Sequence, residues 1–244
     1  GNITIAPDTN MYFSFIRQAA AGHLLFRNNL THLPNPYIFF NPEWLALGGV
    51  LRLVNMDGDL MYQTWRFVGC VASIFGFWFL AGVCTRNRAE RVMALFLYIL
   101  CCGFGWIGVV LNHYHILHVV MNYSAWGPSP YGQILRNPHF SLPHGLILAG
   151  FACYLIAEQR DRWTWRIAAA LVLLVEGVIR PYDIMSVWAI VSLYIAVEAV
   201  VTRNLRMDVV MKRALPLVVT APALAYFVYL FSMTPGFRAW ASQG

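Results

Sequence analysis

An all-α fold, a polytopic transmembrane helical bundle of about six spans, is predicted by three observations. Hydrophobic residues make up 59% of the 244 residues and charged residues only 11%. The mean hydropathy is +0.57. Apolar runs close to the ~20 residues needed to cross hydrocarbon recur between short polar stretches. This composition excludes a cytosolic globular domain.

Two short helices are predicted ahead of the first span. After Asp8-Thr9, residues Met11, Tyr12, Phe15, Ile16 and Ala19 share one helical face, and Asn10, Ser14, Arg17 and Gln18 share the other. Gly22 is placed to stop this helix. A second helix is predicted from Asn41-Pro42-Glu43, with Asn41 as cap and Pro42 in the first turn, to about Val54, followed by an Asp57-Gly58 turn. Amphipathic helices of this kind lie in a membrane interface. Residues 1–66 therefore read as an extracytoplasmic loop with two interfacial helices, and residues 67–244 as the transmembrane bundle.

The six spans are predicted at 67–84, 92–111, 141–157, 166–179, 184–201 and 214–233. The fourth is short: its 14 residues cover about 21 Å at ~1.5 Å per residue. Charge orients the set. Of the 17 Lys and Arg, ten fall in three alternate connections: Arg86, Arg88 and Arg91; Arg160, Arg162 and Arg166; Arg203, Arg206, Lys212 and Arg213. The positive-inside rule makes that side cytoplasmic. Residues 1–66, the 112–140 segment, the Arg180-Pro181-Tyr182-Asp183 turn and the C-terminal tail then share the extracytoplasmic face.

Nucleic acid is not an expected partner, because no basic stretch is interleaved with aromatics. The five cysteines, Cys70, Cys84, Cys101, Cys102 and Cys153, sit in or beside apolar spans without metal-ligand spacing and read as small buried hydrophobes. The chain opens at Gly1 without a charged leader and ends just after an apolar run, which leads to the expectation that it is a fragment of a longer protein.

At this point a family resemblance enters. Pro7-Asp8 opening a first loop of two surface helices, followed by Tyr12, Gln18 and Gly22, resembles the polytopic membrane glycosyltransferases of the GT-C superfamily. Gly103-Phe104-Gly105-Trp106, Asn137-Pro138-His139-Phe140 and Arg180-Pro181-Tyr182-Asp183 stand in the same order as in uncharacterised bacterial members. The resemblance covers most of residues 5–200. It implies transfer of a sugar from a polyprenyl-phosphate donor to a glycan or lipid acceptor at the extracytoplasmic face of a bacterial inner or plasma membrane. Asp8 is followed here by Thr9, where many relatives carry two adjacent carboxylates.

Such a transfer needs a carboxylate to deprotonate an acceptor hydroxyl and donors to hold a departing phosphate. Asp8 is the candidate catalytic base; as a helix cap it also accounts for itself structurally, by about 1 kcal/mol. Glu43, Arg136, Asn137, His139, Arg180 and Asp183 are the candidate substrate-binding residues. Glu43 is equally explained by a first-turn dipole contact worth about 0.3–1 kcal/mol, and Asn137-Pro138 by starting a helix. Arg180 can meet a phosphate as a bidentate donor or pair with Glu176 at (i, i+4) spacing.

No cofactor is expected. His113, His115 and His118 offer imidazoles, but their spacing and the lack of a nearby carboxylate or Cys argue against a metal site. Soluble-enzyme signatures for phosphate loops, zinc helices and nucleophile elbows are absent from the sequence. The competing class is a non-enzymatic membrane protein that binds or transports a lipid-linked substrate; Glu176 and Glu198 suit a proton or ion path, whereas no pair of broken helices marks transporter repeats.

Overall fold

A computed structural model describes residues 7–54, 57–100, 138–203 and 206–241. The described residues form ten helices: α1 (Pro7–Ala20), α2 (Pro42–Val54), α3 (Gly58–Cys84), α4 (Arg88–Leu100), α5 (Pro138–Arg160), α6 (Trp163–Ile179), α7 (Pro181–Thr202), α8 (Met207–Arg213), α9 (Leu215–Met233) and α10 (Pro235–Ala241). The outer half of the expected second span, the following loop and its three histidines lie outside the described residues.

The helix ends follow local chemistry. Gly22 takes φ +97°, a conformation a side chain disfavours, and ends α1 two residues after Ala20. The Asn41 side-chain oxygen accepts from the Glu43 and Trp44 amides at 3.0 and 3.4 Å, capping α2. Asp57 does the same for Asp59 and Leu60 at 2.9 and 3.2 Å. What reads as a turn at Asp57-Gly58 is thus the start of α3. That helix runs unbroken through positions 66 and 67, nine residues ahead of the expected span, because Gln63, Thr64 and Arg66 interrupt the apolar run without interrupting the backbone ladder.

Among the described residues, four helices are long and apolar enough to cross a membrane: α3, α5 from His139, α7 and α9. Their outward surfaces are lipid-like, with Phe67 and Phe75 on α3, Leu193 and Val197 on α7 and Tyr229 on α9 all exposed. The chain is an integral membrane protein by this measure. At 17 residues, α6 reaches about 26 Å, short of ~30 Å of hydrocarbon. The described part of α4 has 13 residues.

The most extensive contact joins α3 to α5, followed by α5 with α6. Small residues let the first pair approach: a Cβ on Gly76 would stand 2.3 Å from the Gly145 carbonyl oxygen, and one on Gly145 would stand 2.6 Å from the Ala72 backbone. Between helices in lipid, where no hydrophobic gain drives association, close backbone approach of this kind supplies the packing.

The two early helices do not form a separate layer. Tyr12, Phe15 and Ile16 of α1 and Trp44 and Leu47 of α2 belong to one core with Ile184 of α7, Phe227 and Leu230 of α9 and Phe237 of α10. The apolar face expected to rest in the membrane interface packs on α7, α9 and α10 instead. The link between α1 and α2 is held by Tyr226, whose hydroxyl donates to the Ile38 carbonyl at 2.6 Å and accepts from the Phe40 amide at 2.8 Å.

The connections rich in Arg gather at the opposite end. Glu158 accepts from Arg166 and from Arg213 (2.6 Å), Asp161 accepts from Arg166 (2.9 Å), and Glu198 lies 3.6 Å from Arg213. Arg91 reaches the Gly82 carbonyl at the end of α3. The alternation of basic connections read from the sequence therefore corresponds to two real ends of the bundle. The Arg166 hydrogen bond, with help from Lys212, holds the Asp161 carboxyl below the usual aspartate range.

Candidate functional site

At the end away from the basic connections, Glu43 is buried at 2% exposure in the first turn of α2. Its carboxylate has two partners. Trp65 Nε1 on α3 donates to Oε1 at 2.9 Å, and His139 Nδ1 at the start of α5 lies 2.7 Å from Oε2. The indole is a donor only, so the carboxylate accepts there; an ionised Glu43 accepts from the imidazole too, which puts a proton on Nδ1 and makes Nε2 the basic ring nitrogen. Aromatic packing fixes the imidazole: Trp44 lies 5.0 Å and Tyr12 5.2 Å from it, and those two rings stack on each other at 4.7 Å.

A second pair stands beside the first. Arg180 is the single residue between α6 and α7, in an extended conformation because Pro181 disfavours a helical predecessor. Its guanidinium lies 3.2 Å from Asp183 and 4.5 Å over the ring of Phe140, the neighbour of His139. Asn41 ties the two regions together: while its oxygen caps α2, its amide donates to the Ile179 carbonyl at 2.8 Å. The same residue thus holds Glu43 and Arg180 in register.

The pairing of Arg180 with Glu176 considered from the sequence does not form. The two share only the backbone bond from the Arg180 amide to the Glu176 carbonyl, at 2.8 Å, and the side chain of Arg180 turns to Asp183. The reason is the helix break: (i, i+4) side-chain pairing needs continuous helix, and α6 ends at Ile179. Glu176 is left fully buried, with no donor to either carboxyl oxygen; its charged neighbours are Arg180 and Asp183, and to the Asp183 carboxylate a protonated Glu176 donates. Across from them on α5, His144 stacks on Tyr98 at 6.0 Å, and its buried Nε2 is without a hydrogen-bond partner.

Of the candidates read from the sequence, Glu43 and His139 meet, Arg180 and Asp183 meet, and the two pairs are neighbours through Phe140 and Asn41. The backbone of Asp8 lies in the first turn of α1, inside the helix rather than before it. The Asp8 side chain, Arg136 and Asn137 lie outside the described residues. An open cleft of about 770 Å³ beside the polar face of α1 is lined by Asn10, Ser14, Arg17, Asp57 and Asp59 among others, and by none of the paired residues.

Trp65, Trp44 and His144 were not legible as site residues. Trp65 follows the polar Gln63-Thr64 pair, and no periodicity links positions 43, 65 and 139. Among the described residues no group of three His, Cys, Asp or Glu could hold a metal ion. Comparison of the chain with protein-family models, curated proteins and solved structures gave no match.

Proposed function

We propose that the chain is a membrane glycosyltransferase of the GT-C type, moving a sugar from a polyprenyl-phosphate donor to a glycan or lipid acceptor at the extracytoplasmic face. The observation that carries this reading is the convergence of Glu43–His139 and Arg180–Asp183 at the end of the bundle remote from the Arg-rich connections. By the positive-inside rule that end is extracytoplasmic. The finer topology belongs to the same proposal: six spans, with α4 in the second and α6 as the short fourth, and α1 and α2 at the outer membrane surface.

In the proposed reaction, the acceptor oxygen bonds to the anomeric carbon, the bond from that carbon to the phosphate oxygen breaks, and polyprenyl phosphate leaves with the electron pair. Asp8 takes the acceptor proton. Arg180, oriented over Phe140, exchanges Asp183 for the departing phosphate as a charge-assisted donor. Glu43 orients His139, which with Arg136 and Asn137 contacts the donor. Neither step requires a cofactor.

The test supplies the full chain, reconstituted in vesicles, with radiolabelled polyprenyl-phosphate hexose and a membrane extract as acceptor source. Asp8→Asn is expected to lose about 10²-fold or more in transfer while retaining lipid-linked sugar. Equal transfer by wild type and Asp8→Asn removes Asp8 from the mechanism. A wild type that binds the labelled donor without transferring it overturns the enzymatic reading in favour of a binding or transport protein.

A further inference from the structure

We propose that the groove between α3 and α5 at the basic end of the bundle is a binding site for one anionic glycerophospholipid. The groove holds a cavity of about 710 Å³ whose walls include Phe75, Trp78 and Phe79, with Gly76 and Gly145 at its floor, where the two backbones touch, and Arg91, Gln159 and Arg160 at its mouth. Its position in the bundle is independent of the site around Glu43.

The dimensions suit a lipid chain. From Ala72 to Val83 the groove follows twelve residues of α3, whose successive rises of ~1.5 Å span about 17 Å. One leaflet offers about half of ~30 Å of hydrocarbon. An acyl chain reaching from mid-bilayer to the headgroup level therefore runs the length of the groove and ends at the arginines.

The charge at the mouth selects the headgroup. Arg91 lies flat on Gly82, where a Cβ would stand 2.8 Å from its Cζ; it stacks over Trp78 at 5.1 Å and donates to the Gly82 carbonyl at 3.2 Å. The guanidinium is thereby positioned before any ligand arrives. Of the carboxylates at this end, Glu158, Asp161 and Glu198 are engaged by Arg166, Lys212 and Arg213, Asp208 by Arg206, and Glu90 accepts from the Arg86 amide and the Asn87 side chain, so that neither Arg91 nor Arg160 has an ion-pair partner among the described residues. Two uncompensated guanidiniums above an apolar, membrane-facing trough match a phosphate diester with net negative charge, and basic recesses between spans on the Arg-rich side are where anionic headgroups bind.

The experiment reads Trp78 fluorescence in the full chain reconstituted in phosphatidylcholine vesicles that contain either dibrominated phosphatidylglycerol or dibrominated phosphatidylcholine at equal bromine content. The Trp78 signal is the difference between wild type and Trp78→Phe. Quenching by the anionic lipid is expected to be favoured by about thirtyfold in lipid concentration, from two basic contacts at about 1 kcal/mol each, and the preference is expected to vanish in Arg91→Gln/Arg160→Gln. Arg203→Gln, at the same end but off the groove, should keep it. Ala149→Leu, on the wall of the trough contributed by α5, leaves both arginines in place and fills the trough, and should lower quenching by both lipids. Equal quenching by the two lipids in wild type, a preference that survives the double arginine variant, or undiminished quenching in Ala149→Leu each overturns the proposal.

Discussion

Removing the acceptor at the centre of the Glu43 cluster tests whether that cluster is an energetic unit. Glu43→Ala leaves Trp65 Nε1 and His139 Nδ1 without the carboxylate they share. An orphaned buried donor costs about 1–3 kcal/mol. The His139 side chain is 14% exposed, so water relieves part of its loss, and Trp65 is half-buried. The single substitution should therefore cost about 2–4 kcal/mol, which for a chain of this size lowers the melting temperature by about 4–16 °C. Glu43→Gln should cost less, about 1–2 kcal/mol, since the amide oxygen still accepts from Trp65 while its N–H₂ meets His139 donor to donor unless the tautomer changes. The decisive measurement is the cycle of Glu43→Ala, His139→Ala and the double variant, unfolded thermally in detergent and followed by circular dichroism. Coupling of about 1–3 kcal/mol is expected for a charged hydrogen bond. Effects that add to within about 0.5 kcal/mol would refute the pairing and with it the view of Glu43 as the residue that orients His139.

Other substitutions probe other parts of the argument. Glu176→Leu removes a buried carboxyl that no donor satisfies and that faces the Asp183 carboxylate and should stabilise the fold by about 1–3 kcal/mol, read as a raised melting temperature; a fall would mean that the bond it donates to Asp183 outweighs the cost of its burial. Asn41→Ala loses both the α2 cap and the bond to the Ile179 carbonyl and should cost about 1–3 kcal/mol, with Asn41→Asp recovering only the cap. Gly145→Leu drives a side chain into the Ala72 backbone and should abolish the folded monomer on size-exclusion chromatography, whereas Gly49→Ala, which meets nothing within 4 Å, should be neutral or gain up to about 1 kcal/mol. Asp161 has a carboxyl held below its ordinary range by Arg166 and Lys212. Its contribution to stability is therefore complete above the ordinary aspartate pKa and is lost as pH falls through the lowered value. Asp161→Asn, which suits the positive φ of 45° there, should melt earlier than wild type at neutral pH and coincide with it in strong acid.

Elements set by short-range chemistry were readable before any packing was known. The α1 stop at Gly22, the Asn41 cap and the ends of α7 and α9 each fall within three residues of their expected places, because a cap, a positive-φ glycine or an apolar run acts over one helical turn. The start of α3 was missed by nine residues since hydropathy marks where hydrocarbon begins, and a helix is free to project beyond it. The role of Glu43 was legible only as a first-turn acid. Its partners stand 22 and 96 residues away, and one sequence carries no signal at those separations.

Composition, periodicity and the placement of arginines thus determined, from the chain alone, that this protein is helical, built for a bilayer and two-ended, since each property sums many local preferences that tertiary contacts cannot reverse. Only the folded arrangement decided which polar groups meet. It covered the apolar face of α1 with α7, α9 and α10, turned Arg180 from Glu176 to Asp183, and enclosed Glu43 between Trp65 and His139. A buried charge must find its partner in space, and that search is settled by how helices cross rather than by where residues stand along the chain.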